Sequence, residues 1–201
     1  MKLYYSPGAC SLAPHIVLIE LSLPHSTVQV DLKAKETADG RDYRQINSKG
    51  YVPTLELDDG QYLTEAAVIV QYLADRAPSA ALAPAPGTME RYRLQEWLNF
   101  ISSEIHKGFG PLWNPAASED EKERARGRLG QRFDWLSAQL ANKDYLMGKF
   151  SVADAYLFTV LNWTQWHDID LAKWPALKQY VGRVAARPAV QEALKAEGLA
   201  K

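Results

Sequence analysis

The sequence predicts two domains of different class: a small α+β domain at the N-terminus and an all-helical bundle after it. Strand and helix patterns alternate up to residue 77, whereas only helical patterns follow residue 87. The stretch between them, 78–87, contains three prolines and one glycine, which is typical of a linker. We therefore predict domains at 1–77 and 88–201, joined by a linker at 78–87.

The N-terminal domain is predicted to follow the order β-α-β-(α)-β-β-α, which is too compact for a doubly wound nucleotide-binding fold. Residues 2–5 are aromatic and precede Ser-Pro-Gly, which is typical of a strand and a turn. Ser11 is expected to cap a helix. The apolar residues of that helix recur every three or four positions, at Leu12, Ile16, Ile19 and Leu23. Residues 26–30 alternate as a second strand, and a short helix is expected near 42–46.

Residues 50–66 are the most informative stretch. Two alternating runs flank Asp59-Gly60, a strong hairpin signal because such turns need positive φ. Pro53 stands just before the first strand, where its missing N–H does least harm to the ladder. Glu65 lies beside the free amides of a helix that begins near Ala66, and those amides form an anion site. Because a carboxylate attracts a cation, the pair suits a ligand with both an ammonium and a carboxylate, such as an α-amino acid.

The second domain is predicted to contain helices only. A long helix starts at Thr88, and Ser118 opens another with a capping box and acidic residues on its positive end. Ser151 opens a helix that is apolar on nearly every side, so we predict a buried central helix. Asp154 in its first turn has the spacing of a capping residue rather than a catalytic one. Trp174-Pro175 and Arg187-Pro188 each begin a further helix.

Composition excludes several classes of function. The 201 residues include 23 basic and 24 acidic side chains, so no overall field favours nucleic acid or an anionic membrane. The N-terminus turns polar too early for a signal peptide, and no apolar run reaches membrane-spanning length. The single cysteine excludes an internal disulfide and fits a reducing compartment. No metal-ligand spacing is recognisable. We expect a cytoplasmic protein without a bound metal.

Cys10 is the first candidate for chemistry, because it follows a glycine turn at the start of the first helix. The partial positive charge and free amides of a helix N-terminus favour the thiolate. The alternative is a buried small hydrophobe, which is the commonest fate of a lone cysteine. Without a second cysteine nearby, this thiol forms mixed disulfides only.

His106 is the second candidate. The 3.6-residue period predicts that it shares a helix face with Asn99 and Ser103, while Lys107 follows Ser103 by four residues. Such a polar face is usually a solvated surface. The aromatic residues on the opposite side predict a well-buried helix, which keeps a functional role open. Structural or surface roles are expected for the other histidines, His15, His25 and His167.

Five motifs follow one another along the chain: Tyr5-Ser6-Pro7-Gly8-Ala9-Cys10-Ser11, Gly50-Tyr51-Val52-Pro53, Leu63-Thr64-Glu65-Ala66, Glu104-Ile105-His106-Lys107 and Ser151-Val152-Ala153-Asp154-Ala155-Tyr156. Together they resemble the motifs of the bacterial beta-class glutathione transferases, and the likeness extends from Met1 to Leu199. The resemblance implies a thioredoxin-like βαβαββα N-terminal domain, an all-helical C-terminal domain and a homodimer.

The resemblance also implies glutathione as co-substrate. It implies that Pro53 is cis and that the backbone of Val52 pairs with the cysteinyl part of glutathione like an added strand. Glu65 would hold the γ-glutamyl ammonium and the Ala66 amide its carboxylate, in agreement with the amino-acid-shaped site inferred above. Ala66 departs from the serine that many family members have, which removes one hydrogen bond worth ~1 kcal/mol. The other implied contacts, partly across the dimer, are Ala9, Cys10, Lys35, Tyr51, Asn99, Ser103, Glu104, His106 and Lys107.

The cysteine implies a mechanism. Other classes use a tyrosine or serine hydroxyl to stabilise the glutathione thiolate, whereas the beta-class cysteine can form a mixed disulfide with glutathione. We expect Cys10, held as thiolate by the helix end and His106, to support conjugation, reduction or dehalogenation of a hydrophobic electrophile. A second glutathione would release the mixed disulfide. The apolar electrophile site is expected at Tyr5, Trp113, Trp163 and Trp166, although core packing explains each tryptophan equally well.

Two other functions remain open from the sequence. One is a covalent hydrolase or isomerase that uses Cys10 and His106 without glutathione, for which no orienting third residue is evident. The other is a non-catalytic glutathione-binding or partner-binding protein on the same fold.

Overall fold

The computed structural model describes residues 1–200, which form two compact units. The first consists of Met1–Ala83 together with the chain from Ala186 onward, and the second of Pro84–Ala185. The division at Ala83 falls inside the stretch that we predicted as a linker. The last part of the chain differs from the prediction of a helical domain over 88–201, because the structure assigns it to the first unit.

The first unit contains a mixed sheet of five strands in the order β3-β2-β1-β4-β5. The strands are β1 (Lys2–Tyr5), β2 (Ser26–Asp31), β3 (Glu36–Thr37), β4 (Thr54–Glu56) and β5 (Tyr62–Thr64). The central strand β1 runs parallel to β2 and antiparallel to β4, and its fully buried Leu3 pairs with the fully buried Leu55. A parallel neighbour requires a crossover helix, which explains the helix between β1 and β2.

Eight α-helices are present in the part of the chain that the structure describes. They are α1 (Leu12–Glu20), α2 (Ala66–Arg76), α3 (Met89–Phe100), α4 (Gly110–Trp113), α5 (Glu119–Leu140), α6 (Val152–Leu161), α7 (Pro175–Ala185) and α8 (Pro188–Ala196). Within the first unit, α1 packs against both α2 and α8. None of the helices in residues 1–200 combines the length and the apolar character needed to cross a membrane.

The α1 region differs from the prediction in two details. The side chain of Ser11 does not cap the helix; its Oγ accepts from the Ser6 amide at 3.1 Å and donates to the Ser6 carbonyl at 3.2 Å. The hydroxyl therefore braces the turn that carries Cys10 rather than the helix itself. The helix also ends at Glu20, so Leu23 lies beyond it.

The hairpin at 54–64 is confirmed, with Leu55 opposite Leu63 in the register. Its turn differs from a two-residue turn, because only Gly60 has positive φ, at 83°, and its amide donates to the carbonyl of Leu57. The short helix predicted near 42–46 is a 3₁₀ turn over Tyr43–Gln45. The two-residue strand β3 was not predicted, because so short an edge strand leaves no recognisable alternation.

The second unit is all-helical, with α6 as its most buried element. Every residue of Val152–Leu161 is buried, as the apolar pattern predicted. Both oxygens of Asp154 accept hydrogen bonds from buried donors: the amides of Leu146 and Ser151, the Ser151 hydroxyl, and the Tyr180 phenol. The structural interpretation of Asp154 is therefore confirmed.

Candidate active site

Cys10 lies in the turn between β1 and α1. The turn is closed by the Ala9 amide, which donates to the Ser6 carbonyl at 3.0 Å, and its half-buried Ala9 packs against a cluster that includes Tyr43 and Val52. The Cys10 thiol is half-buried, and its Sγ lies 3.2 Å from the carbonyl oxygen of Val52, to which it donates. The thiol and the backbone of Val52 are therefore neighbours within one unit.

A buried polar network holds the segment that presents Val52. The Tyr43 phenol donates to the carbonyl of Tyr51 at 2.9 Å, and the Asn47 amide donates to the same oxygen at 2.7 Å. The Thr54 hydroxyl lies 2.7 Å from the Tyr43 oxygen. Burial raises the pKa of the Tyr43 phenol, which therefore stays a proton donor. The Val52–Pro53 peptide bond within this segment is cis, as the resemblance implied.

Glu65 directly precedes α2 with a positive φ of 71°, and its side chain makes no capping hydrogen bond to the helix. Its Oε1 pairs with Nζ of Lys49 at 2.5 Å, and the same ammonium also donates to the Thr64 hydroxyl at 2.9 Å. Ala66 is buried at the first helical position, where amides have no partner within the helix. The Glu65 carboxylate therefore lies next to the helix amides, and in this structure its cation is Lys49, which the sequence did not predict.

Lys35 and Tyr51 lie on the exposed side of the Gly50–Pro53 segment. Lys35 has a positive φ of 61°, and its Nζ donates to the carbonyl of Gly50 at 2.9 Å. The same ammonium lies 5.6 Å from the ring centre of Tyr51, which is 65% exposed. Lys35 therefore brings a positive charge to the open side of the Gly50–Pro53 segment.

Glu197, directly after α8, reaches the Cys10 turn from the end of the chain. Its side chain is fully buried, with Oε2 accepting from the Gly8 amide at 2.9 Å and Oε1 lying 2.8 Å from Nδ1 of His15. The ring of His15 in turn contacts that of Tyr5 at 5.8 Å. Burial, and after it the charge of Glu197, raises the pKa of Tyr5.

His106 in the second unit ends a π-helical segment, Ile101–His106, that continues α3. Its Nδ1 lies 2.7 Å from the hydroxyl of Tyr156, and its ring meets that of Trp163 edge-on at 4.8 Å. The extra residue per turn in a π-helix shifts side chains around the axis, and such segments recur at functional sites. His106 is half-buried, whereas Asn99 and Ser103 are exposed.

Ser103 and Glu104, two further predicted residues near His106, have partners of their own. The Ser103 hydroxyl donates to the carbonyl of Asn99 at 2.9 Å. Glu104 forms an ion pair with Arg132 at 2.7 Å, with both side chains partly exposed. Lys107 is exposed, four residues after Ser103. These side chains form an outer polar stripe, separate from His106.

The predicted tryptophans belong to one aromatic cluster around His106. Trp163 is 4% exposed and contacts Phe109 and Trp113, whose ring centres lie 5.5 and 5.8 Å away. Trp113 and Trp166 are 5.9 Å apart and about half exposed, at 49% and 44%. The cluster therefore extends from the buried side of His106 to the surface of the helical unit.

His167 completes this aromatic cluster. Its ring centre lies 4.1 Å from that of Trp113 and 5.8 Å from that of Phe109. Burial, and after it the charge of Arg126, lowers the pKa of His167. Its Nε2 is buried and has no hydrogen-bond partner within residues 1–200. No cluster of His, Cys, Asp and Glu in that range could hold a metal ion.

Comparison with known proteins identifies the family. Residues 8–76 match the glutathione S-transferase N-terminal domain, and residues 100–188 match the glutathione S-transferase C-terminal domain. The glutathione S-transferase GstA of Escherichia coli O157:H7 is 44% identical over 200 residues, covering 99% of this chain and 100% of that protein. The solved beta-class glutathione S-transferase of Sphingomonas chungbukensis is 47% identical with a TM-score of 0.97, covering 99% of this chain and 100% of that one. The chain is a bacterial beta-class glutathione transferase.

Two further solved glutathione transferases have the same fold. BphK, a bacterial enzyme solved as a ternary complex, is 57% identical with a TM-score of 0.98, covering 99% of this chain and 100% of that one. A sphingomonad transferase complexed with glutathione is 48% identical with a TM-score of 0.96, covering 100% of both chains. The thioredoxin-like domain and the all-helical domain implied by the resemblance are thereby confirmed.

Several residues that contact the predicted site residues within each unit were missed from the sequence. Lys49, Tyr156 and Glu197 each contribute through partners 16 to 189 residues away along the chain. Tyr43 and Asn47 were missed because a polar, weakly patterned stretch gives no sign of burial. Tyr156 stands within a quoted motif, but its hydroxyl could not be assigned a partner from spacing alone.

Proposed function

We propose that glutathione lies along the Gly50–Pro53 segment and that its sulfur is delivered to Cys10 for mixed-disulfide formation. The observation that carries this proposal is the 3.2 Å contact between Cys10 Sγ and the Val52 carbonyl. An added strand on Val52 brings a cysteinyl residue beside that carbonyl, because backbone pairing aligns residues across a ladder. The glutathione complex of the 48% identical sphingomonad transferase supports the choice of ligand.

The head group of glutathione is assigned to Glu65 and the amides at the start of α2. An ammonium beside the exposed Glu65 carboxylate forms the ion pair that Lys49 forms in the free protein. A carboxylate at Ala66 accepts from amides that the helix leaves without partners. The missing serine hydroxyl at this position lowers affinity by ~1 kcal/mol and does not move the site.

The remaining glutathione contacts are proposed on the resemblance. Lys35 lies on the open side of the Gly50–Pro53 segment with a charge suited to the glycyl carboxylate. The protein is proposed to act as a homodimer, as the class resemblance implies. In that assembly the contributors are Ala9 and Tyr51, with Asn99, Ser103, Glu104 and Lys107 from the helical domain.

The chemistry proposed for Cys10 conserves atoms and electrons. In conjugation, a glutathione thiolate attacks the electrophile, a carbon–sulfur bond forms and the halide leaves. In reductive dehalogenation, the Cys10 thiolate then attacks the sulfur of that conjugate, so that a disulfide forms and the carbon takes a proton from solvent. A second glutathione thiolate attacks the mixed disulfide and releases Cys10 and oxidised glutathione. Two glutathiones are oxidised for each carbon–halogen bond reduced.

His106 is proposed as the second catalytic residue, and the aromatic cluster around it as part of the site for the hydrophobic electrophile. Trp113 and Trp166 are half exposed and present an apolar surface that a small aromatic molecule can cover. Tyr5 is a further proposed contact, with a phenol kept protonated by its raised pKa. A cytoplasmic location is proposed because release of the mixed disulfide requires a pool of reduced glutathione.

Turnover with two substrates tests the proposal. We expect Cys10→Ala to lose thiol transfer on hydroxyethyl disulfide, because no mixed disulfide can form, while it retains binding to immobilised glutathione. His106→Ala is expected to lower turnover of both hydroxyethyl disulfide and a chlorinated aromatic. Full thiol-transfer activity in Cys10→Ala would refute the covalent step.

The same experiment addresses the other functions. A covalent hydrolase or isomerase that does not use glutathione would not be retained on immobilised glutathione. It is not favoured, because two relatives that are 44% and 37% identical over their whole length are named glutathione S-transferases. A non-catalytic glutathione-binding protein would be retained on the column but would show no turnover. Membership of the glutathione S-transferase family disfavours this function as well.

A further inference from the structure

The hydroxyl of Tyr156 is placed to act on His106. Tyr156 lies in the middle of the buried helix α6, and 2% of its surface is exposed. Its oxygen is 2.7 Å from Nδ1 of His106, and the two rings meet edge-on with centres 5.9 Å apart. Trp163 contacts the same imidazole at 4.8 Å. The ring of His106 is therefore held by a rigid partner on one nitrogen and by an aromatic neighbour.

The direction of this hydrogen bond follows from the acidity of the two groups. In a neutral imidazole one nitrogen carries a proton and the other has a free lone pair. If Nδ1 accepts a hydrogen bond, the proton must therefore be on Nε2. A phenol, with a pKa of ~10, is a stronger acid than a neutral imidazole N–H, and the imidazole nitrogen is a stronger base than a phenol oxygen. These acidities favour the Tyr156 hydroxyl as the donor and Nδ1 of His106 as the acceptor.

We propose that Tyr156 is a positioning residue that fixes His106 as the tautomer protonated on Nε2. In this state His106 presents an N–H rather than a lone pair, so it stabilises an anion that develops in the reaction and does not accept a proton. The inference rests on the proposed function for the role of His106. A hydrogen bond to one ring nitrogen fixes the tautomer of a histidine, and the Tyr156 phenol supplies such a bond at Nδ1.

The first test is spectroscopic and uses the ligand-free protein. The ¹⁵N shifts of the imidazole nitrogens are measured for wild type and Tyr156→Phe, with His106→Asn identifying the resonances among four histidines. We expect an N–H signal on Nε2 and an acceptor-type signal on Nδ1 in wild type, and a mixture of tautomers in Tyr156→Phe. A proton on Nδ1 in wild type, or unchanged shifts in the variant, would overturn the inference.

The second test is a double-mutant cycle on turnover of a chlorinated aromatic. Tyr156→Phe is expected to lower kcat about fivefold with little change in KM for glutathione, since a lost hydrogen bond of ~1 kcal/mol corresponds to a factor of about five in rate. In the His106→Asn background the same substitution is expected to have no further effect on kcat. Independent, additive losses would show that Tyr156 does not act through His106.

Tyr180→Phe is the matched control. Tyr180 is also a fully buried tyrosine of the helical unit, and its hydroxyl donates to Asp154 at 3.0 Å rather than to His106. We expect this variant to lose stability while it keeps the His106 tautomer and the wild-type kcat. A change in the tautomer in this control would attribute the effect to packing and overturn the inference. The tautomer measurement does not use Cys10, so its outcome is independent of whether the mixed disulfide forms.

Discussion

The carbonyl of Val52 is the residue-scale feature that links the free protein to the proposed complex. In the free protein it accepts from the Cys10 thiol at 3.2 Å. In the proposed complex the same oxygen accepts from the cysteinyl amide of glutathione, so the ligand and the Cys10 thiol meet at one carbonyl, which has two lone pairs to offer.

A second residue-scale feature is the cation that Glu65 already holds. Because the ammonium of glutathione must replace Lys49 on this carboxylate, we predict that Lys49→Met binds glutathione about two- to fivefold more tightly. The range corresponds to an exposed ion pair worth up to ~1 kcal/mol. Isothermal titration of both proteins with glutathione at one ionic strength measures the effect.

Lys195→Met serves as the control for that substitution. Lys195 is exposed in the same unit, and its replacement makes the same change in net charge. We expect it to leave the dissociation constant unchanged. Weaker glutathione binding by Lys49→Met would show that Lys49 contacts the ligand rather than competing with it.

Candidate residues whose role depends on their place in the local chain were predicted from the sequence. Residues whose role depends on a contact distant along the chain were not. Cys10 and Glu65 precede helices, and the charge at a helix N-terminus depends only on the local chain. Lys49 pairs with Glu65 across sixteen positions, and Tyr156 meets His106 across fifty. Nothing in the spacing of those residues indicates these contacts.

At the scale of elements, the capping boxes of α5 and α6 show how burial changes the contribution of one motif to stability. In α5 the carboxylate of Glu121 accepts from the Ser118 amide and hydroxyl at an exposed helix end. In α6 the carboxylate of Asp154 accepts from Ser151 in the same way but is fully buried and takes two further donors. Buried donors that lose an acceptor cost far more than exposed ones, because water cannot replace it.

We therefore predict that Asp154→Ala lowers the free energy of unfolding by about 3 kcal/mol or more. Glu121→Ala, the matched change at the exposed box, is expected to cost less than about 1 kcal/mol. Urea unfolding of both variants measures the difference. Should Asp154→Ala not fold, Asp154→Asn gives the same ranking, since an amide satisfies fewer of the donors.

Equal losses in the two variants would contradict this account. They would show that the motif stabilises each helix only through its local hydrogen bonds.

Helices and strands with a periodic apolar pattern were predicted well. Elements that depend on pairing with another strand, or on an extra residue in a helical turn, were not predicted. The complete burial of α6 follows from an apolar run that has no polar face. The π-helical segment Ile101–His106 was not predicted, because no sequence pattern marks it; His106 at its end is half-buried, whereas Asn99 and Ser103 are exposed. The edge strand β3 exists because it pairs with β2, not because of its own two residues.

At the scale of the whole molecule, the buried Tyr4, Tyr43 and Tyr180 and the half-buried Tyr5 connect stability to pH. Burial is the main cause of a raised pKa at all four. It brings the pKa of Tyr4 to about 12 and raises those of Tyr5, Tyr43 and Tyr180. Above pH ~10 the unfolded chain releases these protons while the folded protein retains them, so the unfolded state binds fewer protons. The free energy of unfolding must then fall as pH rises.

We predict a stability that is unaffected by these groups at pH 8 and declines steadily as pH rises from about 10 to 12. Urea unfolding at a series of pH values measures the slope, and Tyr4→Phe is expected to make it shallower by removing one of the titrating groups. A free energy of unfolding that stays constant up to pH 11.5 would contradict the burial of these phenols as the cause.

The organisation of the whole chain was predicted in part. A change of pattern at the proline-rich stretch indicates where one unit ends, and the structure divides at Ala83. The packing of α8 within the first unit was not predicted. The apolar face of an amphipathic helix indicates that the helix packs against something, but it does not identify the element. Its docking on α1 brings Glu197 to the Gly8 amide, so the end of the chain supports the Cys10 turn.

The central claim is that the sulfur of glutathione reaches Cys10. An intact mass recorded under non-reducing conditions, after incubation with oxidised glutathione, tests it most directly. The account predicts one glutathione adduct per chain in the wild type, removed by reductant, and none in Cys10→Ala. An unmodified wild type, or an adduct that persists in Cys10→Ala, would contradict it.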